Sequence, residues 1–230
     1  ISVRVGQDPV LPANYSLSLD GSDDYVDVGP LSDDISGAFT AEAWIKLDAD
    51  AFTGTQWMRI FDFSETTSAN SNGFLLTTNS TSGELALYTY SGNAATAVTA
   101  DSPLPLNEWV HVAAVNDGAG NATLYLNGAA IKTGTGQNAL ASSTKIYNYL
   151  GKSQDSNDTN FKGDIAEARL WNDARTSDEI ADNYDKQLNG DEQDLAAYWT
   201  FEEGIGNIAR DQSGNGNDAT IVGGTHENIT

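Results

Sequence analysis

Apolar and polar residues alternate through most of this 230-residue chain, which restricts it to a fold built from β-strands. In FTAEAWIKL (39–47), every second residue from Phe39 to Leu47 is apolar, which is the period of a half-buried strand. Similar runs are YSLSL (15–19), YVDV (25–28), WMRIFDF (57–63), GFLLTT (73–78), ELALYTY (84–90), WVHVAAV (109–115), ATLYLNG (122–128), KIYNYLG (145–151), DIAEARLW (164–171) and LAAYWTF (195–201). More than ten strands predict two stacked antiparallel sheets.

Turn sequences separate these runs. Asn127-Gly128 lies between two apolar runs, and this dipeptide favours a tight hairpin turn with positive φ angles. Asp20-Gly21 and Asp117-Gly118 have the same turn chemistry. The alternating runs and their turns together predict an all-β sandwich.

One segment, TSDEIADNYDKQL (176–188), departs from the β pattern. Ile180, Tyr184 and Leu188 recur every four residues, behind Thr176 and Glu179 at the spacing of a capping box. We therefore expect one short amphipathic helix laid on the sandwich.

The charge balance excludes several classes of partner. The chain has 11 basic and 33 acidic residues, a net charge of −22, so it lacks the Lys and Arg that bind nucleic acid or anionic lipid. Without Cys and with only two His, thiolate and imidazole-rich metal sites are disfavoured, whereas oxygen-liganded Ca²⁺ remains open. No run of about 18 apolar residues occurs, so we expect no membrane insertion.

The chain is predicted to be a single domain. No composition shift, Pro-rich linker or repeat divides it. We expect residues 1–14 to be a linker or extension, 15–224 the β-sandwich domain, and 225–230 a tail. The acidic, cysteine-free composition predicts a secreted or cell-surface location.

The loop LGKSQDSNDTNFKGD (150–164) has the highest density of oxygen-bearing side chains. It places Gln154, Asp155, Asn157, Asp158 and Asn160 within seven positions. Calcium takes six to eight oxygen ligands, which such a loop can supply. The alternative is a solvated loop of turn-forming residues.

Several segments together resemble the laminin G-like jelly rolls of the concanavalin A-like superfamily, in particular their bacterial and pentraxin-like members. They are YSLSLDGSDDYVDVG (15–29), FTAEAWIKL (39–47), EWVHVAAVNDGAGNATLYLNG (108–128), FKGDIAEARLWNDARTSDEI (161–180) and AAYWTFEEGIGNIARDQSGNGNDATIVGG (196–224). The resemblance implies a two-sheet antiparallel jelly-roll sandwich. It does not select among the lectins, adhesion modules, protein-binding domains and glycosidases that share this fold.

The resemblance also implies a calcium site in the 150–164 loop. LGKSQDS is similar to the segment with which pentraxins bind calcium, so Gln154 would supply its backbone oxygen, Asp155 its carboxylate, and Thr159 or Asn160 a later ligand. From the preceding sheet loop only Asn70 and Asn72 can serve, and Ser153 replaces the family's first acidic ligand. Asp158 would compensate for the carboxylates that are missing. The predicted ligands are therefore Asn72, Gln154, Asp155, Asp158 and Asn160.

A second cation site is expected where two acidic turns, DGSDDYVD (20–27) and DQSGNGND (211–218), follow terminal strands that run close together in a jelly roll. The candidate ligands are Asp20, Asp23, Asp24, Asp211 and Asn215. The alternative is that these side chains form Asx turns by hydrogen-bonding their own backbone.

Aromatic residues near the predicted loop are candidates for stacking on a sugar ring. They are Trp57, Tyr88, Tyr90, Tyr147 and Tyr149, although most aromatics of a sandwich lie in its core. Tyr88 is the preferred ligand-binding residue, with Asn70 and Asp155, because it falls where the pentraxin-like pattern has a ligand-contacting Tyr.

Catalytic motifs are missing from the sequence. The E-x-D-x-x-E pattern with which glycosidases of this superfamily place two carboxylates on one strand does not occur. His111 lies within a strand pattern, His226 lies in the predicted tail, and no G-x-S-x-G motif accompanies them.

The sequence therefore predicts a non-catalytic, calcium-dependent module that binds carbohydrate, such as a cell-surface glycan, within a large secreted or cell-surface bacterial protein such as an adhesin. The alternatives are a protein-binding or spacer module with a loop-stabilising calcium ion, and a cryptic glycoside hydrolase.

Overall fold

The computed structural model describes residues 11–53, 57–66, 72–79 and 82–229. These residues form β1 (Tyr15–Asp20), β2 (Tyr25–Asp27), β3 (Phe39–Leu47), β4 (Met58–Ser64), β5 (Gly73–Thr78), β6 (Glu84–Ser91), β7 (Ala94–Pro103), β8 (Trp109–Asn116), β9 (Asn121–Leu126), β10 (Ala129–Thr135), β11 (Tyr147–Leu150), β12 (Lys162–Trp171), β13 (Leu195–Trp199), β14 (Ile208–Ala209), β15 (Ala219–Val222) and β16 (Thr225–Asn228), with helix α1 (Ser177–Asn183) between β12 and β13. None of the described helical structure is long and apolar enough to cross a bilayer.

The strands form two antiparallel sheets that pack face to face, which confirms the predicted sandwich. Sheet A has the order β10-β9-β8-β3-β12-β1-β16, with β13 also paired to β12. Sheet B has the order β14-β15-β2-β11-β4-β5-β6-β7. Non-consecutive strands are neighbours in both sheets, as in a jelly roll, so residues far apart in sequence meet on each face.

The core lies between the sheets and is built by the alternation of the strands. In β3 the apolar series from Phe39 to Leu47 faces inward, and in β4 Phe61 and Phe63 do the same. The outward residues Glu42 of β3 and Asp62 of β4 are also buried, at 3% and 1% exposure. Each sheet must therefore be covered on part of its outer face as well.

Helix α1 and the residues after it cover part of the outer face of sheet A. The predicted capping box is present, since Thr176 accepts a hydrogen bond from the Glu179 backbone N–H and the Glu179 side chain accepts one from the Thr176 backbone. The helix ends at Asn183, five residues before the predicted end. Side chains of sheet A supply the hydrogen bonds that a further helical turn would have made to the last carbonyls. Arg169 donates to the carbonyl of Asn183, and Trp44 donates to that of Tyr184.

The predicted tail is in part a strand. Residues 225–228 form β16 at the edge of sheet A, where Tyr15 of β1 pairs with Asn228 and Ser18 with Thr225. The segment predicted as a tail, 225–230, thus includes a strand of sheet A. A short polar strand at a sheet edge buries little apolar surface, so its sequence lacks the alternation that marks the inner strands.

Candidate functional site

The outer face of sheet B carries a row of polar and aromatic side chains. Asp62 of β4 pairs with Tyr149 of β11 on one side and with Leu75 of β5 on the other, and Leu75 pairs with Tyr88 of β6. Residues directly opposite one another in paired strands point to the same face. Because Phe61 and Phe63 face the core, this row faces outward.

The loop between β11 and β12 folds over this row. The backbone N–H of Gln154 donates to Asp62 Oδ2 over 3.1 Å, and the Gln154 amide donates to the Tyr147 carbonyl over 3.0 Å. Ser153 Oγ donates to Asp158 Oδ2 over 2.9 Å. We call residues 152–160 the cover loop, since they bury Asp62 beneath them.

Arg59 connects the cover loop to the sheet. Its Nη2 lies 2.6 Å from Asp158 Oδ2, its Nη1 donates to Thr77 Oγ1 over 3.0 Å, and its Nε lies 3.8 Å from Asp62 Oδ2. The residue is only 7% exposed. A guanidinium buried to this degree needs paired charges, and Asp158 and Asp62 provide them.

An aromatic cleft of about 210 Å³ opens beside Arg59. Trp57, Arg59, Leu75, Tyr88 and Tyr90 line it. The rings of Trp57 and Tyr88 meet edge to face, with centroids 5.5 Å apart and planes at 89°. Leu75 is almost buried, so the cleft has an apolar floor and aromatic walls.

A second, polar cleft of about 310 Å³ lies beside the cover loop. The loop contributes Asp155, Asp158 and Asn160, and Asp23 and Tyr25 belong to the lining as well. The ammonium of Lys152 lies 3.8 Å from the centroid of the Tyr25 ring, so this ring is already capped by a cation.

The local environment changes the ionisation of two carboxyl groups near the cover loop. Burial raises the pKa of Asp62 to about 6, against the opposing effects of the Gln154 hydrogen bonds and the Arg59 charge. Hydrogen bonds from Asn157 lower the pKa of Asp155. Asp155 is therefore a stable anion at neutral pH, whereas Asp62 is held close to its titration range.

The structure brings only part of the predicted calcium ligand set together. Asp155, Asp158 and Asn160 line the polar cleft, but Asp158 is paired with Arg59 and the Asn160 amide donates to the carbonyl of Ser22. Gln154 uses its backbone and side-chain amides on the sheet beneath the loop.

Of the two predicted residues of the preceding sheet loop, the structure describes Asn72, which does not join this set. The Asn72 amide donates to Glu65 over 2.6 Å, and its oxygen accepts from the backbone N–H of Gly92 over 2.8 Å. Asn70 lies outside the described residues. Asn72 is therefore engaged with residues outside the cover loop.

The second predicted cation site divides into two places. The carboxylates of Asp20, Asp23 and Asp24 lie within 4.8 Å of one another. In the pairing of β2 with β15, Tyr25 lies opposite Val222 and Asp27 opposite Thr220, so the turn at 211–218 falls at the other end of these strands.

In that turn, Asp211 accepts hydrogen bonds from the backbone N–H groups of Tyr198 and Asn217. The Asn215 amide donates to the carbonyl of Leu195. The two turns therefore lie apart. Asp211 also accepts from the Ser213 N–H, which is the Asx turn given as the alternative, whereas Asn215 ties the turn to β13.

The family follows from residues 20–181, which match the Laminin_G_3 model, described as the concanavalin A-like lectin/glucanases superfamily. This match covers well over half of the chain. The chain belongs to this family. Among curated protein sequences, none matches the chain significantly.

Solved structures with the laminin G-like fold resemble this domain at low identity. A proposed carbohydrate binding protein from Bacteroides ovatus matches with a TM-score of 0.73 and 20% identity over 95% of this chain, which spans 61% of the length of that protein. A native heptameric SAP-like pentraxin from Limulus polyphemus matches with a TM-score of 0.56 and 18% identity, over 73% of this chain and 80% of that one. Domain 4 of AbnA, an extracellular arabinanase from Geobacillus stearothermophilus, was solved in complex with arabinotriose. It matches with a TM-score of 0.54 and 20% identity, over 74% of this chain and 76% of that one. These likenesses show the fold.

The buried charges of sheet A form a separate cluster in this laminin G-like domain. Arg169 lies between Glu42 and Glu167, at 3.5 and 3.2 Å, and His111 Nε2 lies 3.2 Å from Glu42 Oε2. All four side chains are buried, and Arg169 also donates to the carbonyls of Asn183, which ends α1, and of Lys186 beyond it. As the sequence indicated, His111 is a packed strand residue, and this cluster anchors the segment after α1 to the sheet.

Proposed function

We propose that this laminin G-like domain is a non-catalytic carbohydrate-binding module whose ligand occupies the aromatic cleft. The observation that carries the proposal is the edge-to-face pair of Trp57 and Tyr88, which walls an open cleft directly beside the polar cover loop. Aromatic rings placed this way can stack on the apolar face of a sugar, while neighbouring polar groups bind its hydroxyls.

Polar groups line the cleft or lie directly beside it. Arg59 forms part of the lining, and Asp158 lies 2.6 Å from its guanidinium. The hydroxyls of Tyr88 and Tyr90 add groups that both donate and accept. A small number of such groups around an apolar floor is typical of ligand sites.

Two of the structural relatives support a sugar as the ligand. The Bacteroides ovatus protein is proposed to bind carbohydrate, and domain 4 of AbnA was solved in complex with arabinotriose. With the cleft geometry, this favours glycan over protein as the partner of the present domain. A secreted or cell-surface location, and membership of an adhesin, stay predictions.

Non-catalytic function is supported by how the carboxylates are engaged. Asp62 lies beneath Gln154 and Asp158 is paired with Arg59, while Glu42 and Glu167 are buried in the other sheet. Glycoside hydrolysis needs two carboxyl groups facing one another across an accessible bond. We therefore expect no release of reducing sugar from any glycan that binds.

A glycan array followed by titration of the best ligand tests the proposal. Trp57→Ala and Tyr88→Ala should each weaken binding by about 1–3 kcal/mol, because each removes a ring that the sugar would bury. Tyr15→Ala is the matched control, since Tyr15 lies in β1 of sheet A and should leave affinity unchanged. Full affinity in both cleft variants would contradict the proposed site.

A further inference from the structure

Asp158, one of the calcium ligands expected in the cover loop, is already paired with a cation of the protein, and so is Asp62 beneath it. Asp158 Oδ2 already accepts from Ser153 and lies 2.6 Å from the Arg59 guanidinium. Asp62 accepts the backbone N–H of Gln154 and lies 3.8 Å from Arg59 Nε. The two carboxylates that face each other between sheet and loop thus already share a cation, which belongs to the protein.

A second cation at these carboxylates would be repelled by the first. Like charges a few ångströms apart in a partly buried site repel each other strongly, even with a moderately high effective dielectric constant. Arg59 itself cannot lose its charge to relieve this repulsion, because a guanidinium stays protonated in proteins.

We propose that Arg59 takes the place of a divalent cation at this site, as the positioning residue that ties the cover loop to sheet B. Its guanidinium links Asp158 of the loop to Asp62 and Thr77 of the sheet. The aromatic cleft is thereby formed without metal, since Arg59 is also part of its lining.

The same arrangement indicates a neutral ligand, an extension that rests on the proposed function. Around the two clefts, the cations Arg59 and Lys152 face the carboxyl groups of Asp23, Asp62, Asp155 and Asp158, two positive against four acidic groups. The chain as a whole has a net charge of −22. A sialylated, uronic or sulfated sugar would be repelled here, so the cleft suits a neutral glycan.

Amide hydrogen exchange in the cover loop tests, without any ligand, whether Arg59 holds this loop on sheet B. The readout is the protection of the backbone N–H groups of Gln154 and Asp158, measured by NMR in EDTA and in millimolar calcium. In the wild type, protection should be the same in both buffers. Arg59→Gln should speed exchange by tenfold or more in EDTA, and calcium should restore part of the protection, since Asp62 and Asp158 are then unpaired.

Two further variants keep the result interpretable. Asp158→Asn removes only the loop half of the tie, leaves Arg59 with Asp62 and Thr77, and should lose protection without calcium rescue, even if Arg59→Gln fails to fold. Arg175→Gln is the control, because Arg175 pairs with Asp173 and Glu179 outside sheet B and should leave the cover loop protected.

Three exchange results would overturn the Arg59 proposal: wild-type protection that collapses in EDTA, wild-type protection in Arg59→Gln, or no rescue of a folded Arg59→Gln by calcium. The ligand class is read separately, from a glycan array in EDTA. Hits on neutral glycans support the inference of a neutral ligand. Hits that are confined to acidic glycans, or that are lost in EDTA, contradict this inference. An empty array contradicts the proposed function and the ligand class together, while the exchange data still decide the role of Arg59.

Discussion

Glu42 is a carboxylate with almost no contact with solvent, on the outer side of β3. It lies 3.2 Å from His111 Nε2 and accepts a hydrogen bond from Trp171 Nε1 over 3.0 Å. Burial alone would favour its neutral form, but His111 and the charge of Arg169 outweigh burial and lower the pKa of Glu42 to about 2. The folded state therefore stabilises ionised Glu42.

The ionisation of Glu42 should be visible in how the free energy of unfolding changes with pH. Because the pKa of Glu42 falls from 4.5 to about 2 on folding, its contribution is complete above about pH 4.5 and is lost as the pH falls toward 2. Glu42→Gln should lower the free energy of unfolding at pH 7 by about 3–5 kcal/mol. It should also flatten the loss of stability between pH 4.5 and 2.

Urea unfolding at several pH values measures both effects. Glu192→Gln serves as the control for a carboxylate outside this buried cluster, because the half-buried Glu192 lies in the turn before β13 and accepts from the backbone N–H groups of Asn189 and Gly190. An unfolding free energy that falls with acid equally steeply in Glu42→Gln and the wild type would contradict the assignment.

At the residue scale, sequence reasoning named some of the residues that line the two clefts. Tyr88, Asp155, Asp158 and Asn160 do lie around the two clefts on sheet B. Arg59 was not predicted as a site residue. Its partner Asp158 lies 99 positions away in the sequence, and no local sequence pattern indicates such a pair. The spacing of Arg59 and Asp62 gave no signal either, because residues three apart face opposite sides of a regular strand, and a register shift between Arg59 and Phe61 brings these two together.

At the scale of elements, the longer inner strands and the turn at Asn127-Gly128 were predicted, whereas β7, β10 and the short C-terminal strands β14, β15 and β16 were not. Asn127 and Gly128 both have positive φ, as a tight hairpin requires. β7 and β10 were missed because most of their residues are exposed or half-exposed, so burial imposes no alternation on them. The helix was predicted too long because the four-residue apolar period continues to Leu188. The helix itself ends at Asn183, where Arg169 and Trp44 donate hydrogen bonds to its last carbonyls.

Helix α1 has only seven residues, so its first-turn hydrogen bonds are a large share of what holds it. Thr176→Ala removes the side chain that accepts from the Glu179 N–H and should lower the free energy of unfolding by about 1 kcal/mol. Asp182→Ala, at an exposed position of the same helix, should not lower it. Equal losses in the two variants, measured by denaturant unfolding, would contradict a capping effect.

At the scale of the whole molecule, the net charge of −22 destabilises the compact state by self-repulsion. Calcium stabilisation stays a prediction, and Asp20, Asp23 and Asp24 are the described carboxylates grouped closely enough to test it. Millimolar calcium should raise the Tm above that in sodium chloride of matched ionic strength, because a cation bound only by the folded state stabilises it.

Asp23→Asn should remove most of the calcium-specific increase. The variant keeps the hydrogen bonds of the turn, since Asp20 accepts from the Ser22 N–H and Asp24 from the Asp20 N–H. Asp218→Asn, an exposed acid of the other turn, is the control. A Tm that responds to ionic strength alone would show that the three carboxylates bind no specific cation.

The pairing of β1 with β16 has a mechanical consequence. Tyr15 lies opposite Asn228, and the N–H of Ile229 donates to the carbonyl of Asn14 over 3.0 Å, so the two strands start and finish at the same end of their ladder. Tension between Asn14 and Ile229 would therefore load the Tyr15–Asn228 pair first and peel the strands apart pair by pair, rather than shear the whole ladder at once. Under such a load β16 would yield early, while the cover loop and the aromatic cleft, which belong to the opposite sheet, would keep their shape.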